Sequence, residues 1–273
     1  MEVEKKILRE YDPEHPNYQR WQKGRELSNE RAKFVESVLS TEIELKGLKI
    51  LDLGAGEGST SSLLSKNNIV ISLEIKSERV NKIPRSHSLS PVIADGVKIP
   101  FKSSSFDIII LQDVIEHMII TTEFINELNS LLKKDGIIYL STPNKISLFN
   151  VVSDPHWGMP LLCLFNRDII KRYFLKNFRR ADYNRDDIAE LLSFKNVVFY
   201  FSEKFLIKLN TKLSVKYLLN GNSGLVWSKF HTYLVKLIKG TGLKNILLRT
   251  TNDNQGYLNK FFTPTFYFIL KKK

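Results

Sequence analysis

The stretch that most constrains this chain is Lys49-Ile50-Leu51-Asp52-Leu53-Gly54-Ala55-Gly56-Glu57-Gly58. Its first half is apolar and β-leaning, and its second half carries glycine at every other position. Ser59 to Lys66 then reads as the first turns of a helix. Strand, glycine turn and helix form the opening unit of a doubly wound α/β sheet, which binds ligands at the C-terminal edge of its strands. Glycine lets the backbone approach a ligand where a Cβ would collide. A dinucleotide turn would read Gly-x-Gly-x-x-Gly. Here Gly54, Gly56 and Gly58 alternate, and Ser59 stands where the third glycine should be. Asp52 and Glu57 also set carboxylates where a pyrophosphate needs neutral or positive surroundings. The alternative is a glycine turn that serves the fold alone.

The form Asp-x-Gly-x-Gly-x-Gly resembles motif I of the class I S-adenosylmethionine (SAM) methyltransferases. SAM carries a sulfonium and an amino-acid tail but no phosphate, so nearby acids are tolerable. The second apolar run, Ile69 to Leu73, ends in Glu74, which lies 22 residues after Asp52. An acid at that separation is placed to bind ribose hydroxyls, and Ile75 to lie against an adenine ring. A third short strand, Pro91 to Ala94, ends in Asp95-Gly96, where the acid can accept from the adenine amino group. Phe106 to Leu111 is a continuous apolar run suited to the buried centre of a parallel sheet. It leads into Gln112-Asp113-Val114-Ile115-Glu116-His117.

Asp-Gly, then Ile-Pro-Phe, Ser-Phe-Asp and Val-Ile-Glu-His, in this order and spacing, are similar to the methyltransferase type 11 group. That group includes quinone, small-molecule and glycan O-methyltransferases, and the resemblance spans about residues 48–143. It implies an α/β fold with a seven-stranded, mostly parallel, Rossmann-like sheet. It also implies S-adenosyl-L-methionine as cofactor, held by Asp52, Gly54, Ala55, Gly56, Gly58, Glu74, Ile75, Asp95, Gly96 and Gln112. In related quinone O-methyltransferases a Glu-x-x-Glu-His run is thought to hold a divalent metal. Asp113-x-x-Glu116-His117 is a close variant, which leaves a metal open, but Glu-His is common in the group without metal and no metal ligand is assigned here.

Thr121 to Lys134 reads as an amphipathic helix, and Ile137 to Leu140 as the fifth strand. Asp154-Pro155-His156-Trp157-Gly158-Met159-Pro160 follows, where the related enzymes build their acceptor site. His117 and His156 are the candidate catalytic bases; the alternative for His156 is a structural imidazole in a packed loop. Asp186 to Leu192 is expected as a short helix, Asn196 to Ser202 as the sixth strand, and Phe261 to Leu270 as the last, antiparallel strand. Before the first strand, Tyr18 to Leu39 reads as one helix in an N-terminal lid over residues 1–45, with Trp21 and Arg25 as lid residues. The SAM-binding core is expected over 46–203, a basic helical insertion over 204–256 and the last strand over 257–273.

Charge divides the chain. Residues 1–150 hold 20 Lys and Arg against 21 Asp and Glu, whereas residues 151–273 hold 21 against 8. From Lys204 to Asn252 there are nine basic residues and no acid. Lys204, Lys208, Lys212 and Lys216 recur every four residues, as one ridge on a helix. A second helix is expected from Leu225 to Ile238. This basic hairpin fits an anionic membrane surface better than nucleic acid, or else it packs on the core with its lysines in water. The start lacks the apolar run of a signal peptide, and no uninterrupted apolar stretch is long enough to span a bilayer. With the lone Cys163 this leads to the expectation of a cytoplasmic protein, for which the basic hairpin suggests a peripheral place on the inner face of the membrane.

The expected reaction is O-methylation of a small-molecule, glycan or lipid-linked acceptor. No Asn/Asp-Pro-Pro-Tyr follows the fourth strand, against amine methylation of nucleic-acid bases, and no Pro-Cys serves carbon-5 methylation of pyrimidines. The rivals are an RNA methyltransferase using the basic C-terminal part and a non-catalytic SAM-binding subunit.

Overall fold

A computed structural model of the chain describes residues 11–96, 99–185, 187–220, 225 and 229–273. Seven strands form one sheet in the order β3-β2-β1-β4-β5-β7-β6. These are β1 (Lys49–Leu53), β2 (Ile69–Glu74), β3 (Leu89–Ile93), β4 (Phe106–Gln112), β5 (Leu132–Pro143), β6 (Phe205–Leu209) and β7 (Thr265–Lys272). The first five run parallel, β7 is antiparallel to β5, and β6 is antiparallel to β7. The order reverses direction between β1 and β4, so their C-terminal ends bound the crevice where such sheets take ligands.

Both sheet faces are covered, which is why β4 is apolar throughout instead of alternating. Ile108 and Ile110 pack on one side with Phe34, Val35, Val38 and Leu39 of α2 (Ser28–Leu39). Ile109 and Leu111 pack on the other with Phe124 and Leu128 of α5 (Thr122–Leu131) and with Phe194, Val197 and Phe201 of α9 (Phe194–Phe201). Two short helices, α3 (Ser59–Leu64) and α4 (Ser77–Val80), follow β1 and β2.

Several expected elements differ. The N-terminal helix is two helices, α1 (Tyr18–Glu26) and α2, meeting at Leu27. Residues 194–201 are a helix, not the sixth strand. Ser193 and Asn196 form a capping box, each side chain bonded to the other's backbone N–H. Phe194, Val197 and Phe201 then fall on one buried face. The β-branched and aromatic content that suggests a strand is overridden by cap and spacing. The sixth strand is β6.

Residues 187–192 are not helical, and Asp186 lies outside the described residues. The backbone of this stretch is engaged elsewhere. Glu190 N donates to the Glu116 carbonyl at 2.8 Å, and the Leu192 carbonyl accepts from Lys145 N at 3.0 Å. The four-lysine ridge does not form either. Lys208 lies on β6 and pairs with Glu42, and only Lys212 and Lys216 lie on α10 (Thr211–Leu219). The expected second helix starts at Lys229 as α11 (Lys229–Gly240), and residues 226–228 lie outside the described ones. The remaining chain adds α12 (Leu243–Thr250) and α13 (Tyr257–Phe262) before β7. Among the described residues no helix is long and apolar enough to cross a membrane.

Candidate functional site

The glycine turn after β1 is built as its spacing demands. Gly54, Gly56 and Gly58 all have positive φ, at 74°, 59° and 79°. A Cβ on Gly54 would come within 2.5 Å of Val114, just past β4, and one on Gly58 within 2.8 Å of Ile83. These two glycines let the turn close against its neighbours. Gly56 differs, because a Cβ there would meet no protein atom within 4 Å. Open space beside the middle glycine is what a ligand needs.

Glu74 closes one side of that space. Its carboxylate accepts from Gly56 N and Lys76 N, each at 3.0 Å, and Arg79 lies 3.7 Å away. Ile75 beside it is 61% exposed, as a residue waiting for a flat apolar partner would be. Asp95 is exposed and Gly96 partly buried, packed towards Leu53, just beyond β3. Ala55 packs partly into the core. Gln112, at the end of β4, accepts from the Thr60 hydroxyl at 2.8 Å.

Asp52 sits beneath the turn rather than in the open space. It is buried and accepts from Ser61, whose hydroxyl in turn accepts from Ser72 at 2.6 Å. Burial, with the Glu74 charge adding to it, pushes the Asp52 carboxyl up to about 6 against the Ser61 hydrogen bond. Its contribution is to hold the turn. Glu57 is likewise engaged, by the Tyr11 hydroxyl at 2.8 Å and by Lys82 at 2.9 Å.

Past β4 the backbone turns through Asp113, a non-glycine residue with φ of 55°. Its side chain is held by Ser141, at 2.8 Å, and by Arg31 of α2. Glu116 is 1% exposed; Thr142 donates to its Oε2 at 3.0 Å, and Oε1 has no partner among the described residues. Burial, reinforced by the Asp113 charge, raises its carboxyl well above the usual range.

The two candidate histidines, 39 residues apart in sequence, meet: their ring centroids are 5.2 Å apart and the planes nearly perpendicular. His117 Nδ1 lies 2.7 Å from the Asp187 carbonyl. A carbonyl only accepts, so Nδ1 carries the proton and Nε2 the free lone pair. His156 is presented by a turn in which Asp154 Oδ1 accepts from the backbone of both His156 and Trp157, at 2.8 and 2.7 Å. Burial lowers both imidazoles, His156 far more, with its neighbour His117 as the next cause. Both are therefore neutral near pH 7, the form that takes a proton. Glu116, His117 and His156 also offer one ligand atom each, all within 4.8 Å of one another.

Residues around this pair carry little signal in the sequence. Asp187, whose carbonyl fixes His117, is clamped by Arg185 at 2.7 Å and by Lys76 at 2.9 Å. Lys76 lies two residues past Glu74, so one short chain of contacts joins the two halves of the site. Arg185 also lies over Trp21 and Trp157 and bonds Asp182 at 3.0 Å. Asp182 holds His15 at 3.1 Å. Arg20 reaches from α1 to donate to the Asp154 and Pro155 carbonyls, both at 2.9 Å. The segment from Tyr11 to Arg25 thus touches both the glycine turn and the His156 loop, with Arg25 stacked on Tyr11.

Comparison with known proteins bears on the fold and the domain. The family model described as "Methyltransferase domain" matches residues 51–140. The ubiquinone biosynthesis O-methyltransferase of Xanthomonas euvesicatoria pv. vesicatoria is 31% identical over 119 residues, 39% of this chain and 48% of the relative. Its counterpart in Pelagibacter ubique is 28% identical, over 40% of this chain and 47% of the relative. The chain spans about half the length of these curated relatives. An S-adenosylmethionine-dependent methyltransferase from Mesorhizobium loti superposes with a TM-score of 0.54 at 12% identity, covering 87% of this chain and 96% of its own. A protein from Pyrococcus horikoshii does so with 0.53 at 15% identity, covering 97% and 100%. These superpositions establish the fold.

Proposed function

We propose that this chain, whose residues 51–140 form a methyltransferase domain of the class I, type 11 group, is an enzyme that moves the methyl group of SAM to a hydroxyl of a small-molecule acceptor. The observation that carries this reading is the meeting of His117 and His156 past the end of β4, the strand beside the one that leads into the glycine turn. The residues fit SAM: open space at Gly56, a carboxylate at the end of β2, an exposed Ile75 and an acid after β3. SAM supplies a methyl group on a sulfonium, an electrophile that needs no further activation. The remaining work is done by this chain. It aligns the acceptor oxygen with the methyl carbon, which can supply much of the barrier reduction. It also takes the hydroxyl proton as the new carbon–oxygen bond forms and the carbon–sulfur bond breaks.

His117 Nε2 is the proton acceptor in this reading, since its Nδ1–H is fixed by the Asp187 carbonyl. His156 faces it and passes the proton outward. Glu116, buried beside them with its carboxyl raised, accepts from Thr142 and lies within 4.8 Å of both imidazoles. The related curated proteins are named for ubiquinone biosynthesis, which favours a quinone-like or other lipid-linked acceptor over a glycan. On this reading the enzyme works on the cytoplasmic face of an anionic membrane.

His117→Ala and His156→Ala test the assignment. At least one should lower turnover by ~10²-fold or more, with SAM affinity nearly unchanged by calorimetry. Near-normal turnover in both would remove the histidines as bases. Dialysis against a chelator separates base from metal ligand: the proton-transfer reading expects turnover to survive. Loss of turnover, restored by a divalent cation, would make the cluster of Glu116, His117 and His156 a metal site instead. A second reading, RNA methylation, is favoured only by the basic C-terminal part, and label from SAM in RNA would support it.

A further inference from the structure

The helical segment 167–178 has an unusual surface. It runs through α7 (Arg167–Ile169), a π-helical turn (Ile170–Leu175) and α8 (Lys176–Phe178). Its inner side is ordinary: Ile170, Phe174 and Leu175 are buried with Trp157 and Ile188, and the Phe174 ring lies 5.8 Å from that of Trp157. Its outer side is not. Phe165, Ile169 and Tyr173 recur every four residues and are all exposed, Tyr173 to 61%, and Phe178 is exposed to 76%. Phe178 stacks on Phe174 at 6.1 Å and still leaves most of its ring open to solvent.

A second ridge runs beside the first. Arg172, Lys176 and Arg180 also recur every four residues and are exposed. Arg180 Nε donates to the Lys176 backbone carbonyl at 3.2 Å, which holds the Arg180 side chain back along the segment. Over residues 145–180 there are seven Lys and Arg against two Asp, and Asp154 is buried, which leaves Asp168 as the acid at the surface. A surface made for water alone would mix its charges and hide its rings. A ridge of apolar side chains beside a ridge of cations matches one kind of partner, hydrocarbon lying just beneath phosphate.

We infer that residues 165–180, centred on the helical segment 167–178, lie in the surface of an anionic phospholipid membrane, with Phe165, Ile169, Tyr173 and Phe178 in the interfacial hydrocarbon and the three cations at the phosphates. The consequence for the site rests on the function proposed above. The buried side of the same segment packs on Trp157, the neighbour of His156, so a hydroxyl on a membrane-dissolved acceptor meets the base pair next to the bilayer surface. The membrane contact itself needs neither SAM nor an acceptor. The expected basic ridge at Lys204 to Lys216 is not formed, and this one takes its place.

Vesicle flotation with the full chain tests the inference. It uses vesicles of phosphatidylcholine alone and of phosphatidylcholine with one third phosphatidylglycerol, without SAM. The wild type should float with the anionic vesicles at least tenfold more than with the neutral ones, and should be released by 0.5 M salt, because the lysine and arginine contribution is screened. The triple variant Arg172→Glu, Lys176→Glu, Arg180→Glu should lose flotation. The pair Ile169→Ser, Tyr173→Ser should weaken it by tenfold or more. Both should melt near the wild-type temperature and bind SAM as tightly by calorimetry, which separates loss of this surface from loss of the fold. Equal flotation with both vesicle types, flotation with neither, or a triple variant that floats as the wild type does would overturn the inference. So would a gel shift with total RNA that the triple variant abolishes while the wild type ignores vesicles. If flotation holds while SAM fails to bind, the surface stands and the proposed function falls.

Discussion

Asp52 shows how one residue of the glycine motif is tied into the fold beneath it. Its carboxylate is buried against Ser61, and burial raises it to about 6 from an ordinary 3.8. A raised carboxyl binds its proton more tightly in the folded chain than in the unfolded one. Its contribution to stability is therefore fully present below about pH 4 and is lost as pH rises to about 6. Two pH units correspond to about 3 kcal/mol at most. Asp52→Asn keeps an oxygen for the Ser61 hydroxyl and removes the titration. Urea unfolding across pH 4 to 7 should show the wild type losing about 2–3 kcal/mol relative to this variant. A constant difference over that range would mean that Asp52 does not titrate there.

At the scale of elements, the helix α9 is the instructive case. Phe194–Phe201 has the composition of a strand, yet Ser193 and Asn196 close a capping box and the apolar residues recur at helical spacing. Ser193→Ala should cost about 0.5–2 kcal/mol, read as a lower urea midpoint with an unchanged slope. No change in midpoint would mean that the packing of Phe194, Val197 and Phe201 fixes the helix alone. The parallel half of the sheet was legible because each strand ends in a residue that breaks it: Gly54, Glu74, Asp95 and Gln112 mark four strand ends within a residue or two. The same rule brought the two candidate histidines to one edge, since strand ends converge in this topology. What lies between β5 and β7 was not legible. Residues 187–192 spend their backbone bonds on Glu116 and Lys145, partners far away in sequence. The even spacing of Lys204 and Lys208 with Lys212 suggested a helix, but alternate residues of β6 also recur, and Glu42 from the other end of the chain claims Lys208. Asp187, Arg185 and Lys76 carry no motif at all; only the folded chain brings them to His117.

The molecule as a whole divides its labour along its length. The first 150 residues are almost neutral and hold the glycine turn, the acids at the strand ends and His117. The rest is strongly basic and holds His156, the segment that packs on Trp157 and the helices before β7. The segment from Tyr11 to Arg25 joins the two, through Glu57 on one side and Asp154 and Asp182 on the other. The proposed function and the proposed membrane contact make one account: a hydroxyl taken from a lipid phase, deprotonated at the two histidines and methylated by SAM. The most direct test is incubation of the purified chain with methyl-labelled SAM and a cell lysate, followed by separation into lipid-soluble, glycan and RNA fractions. The account predicts label in the lipid-soluble fraction, in an ether linkage, that falls at least ~10²-fold with His117→Ala or His156→Ala. Label confined to RNA, or none in any fraction from a protein that binds SAM, would contradict it.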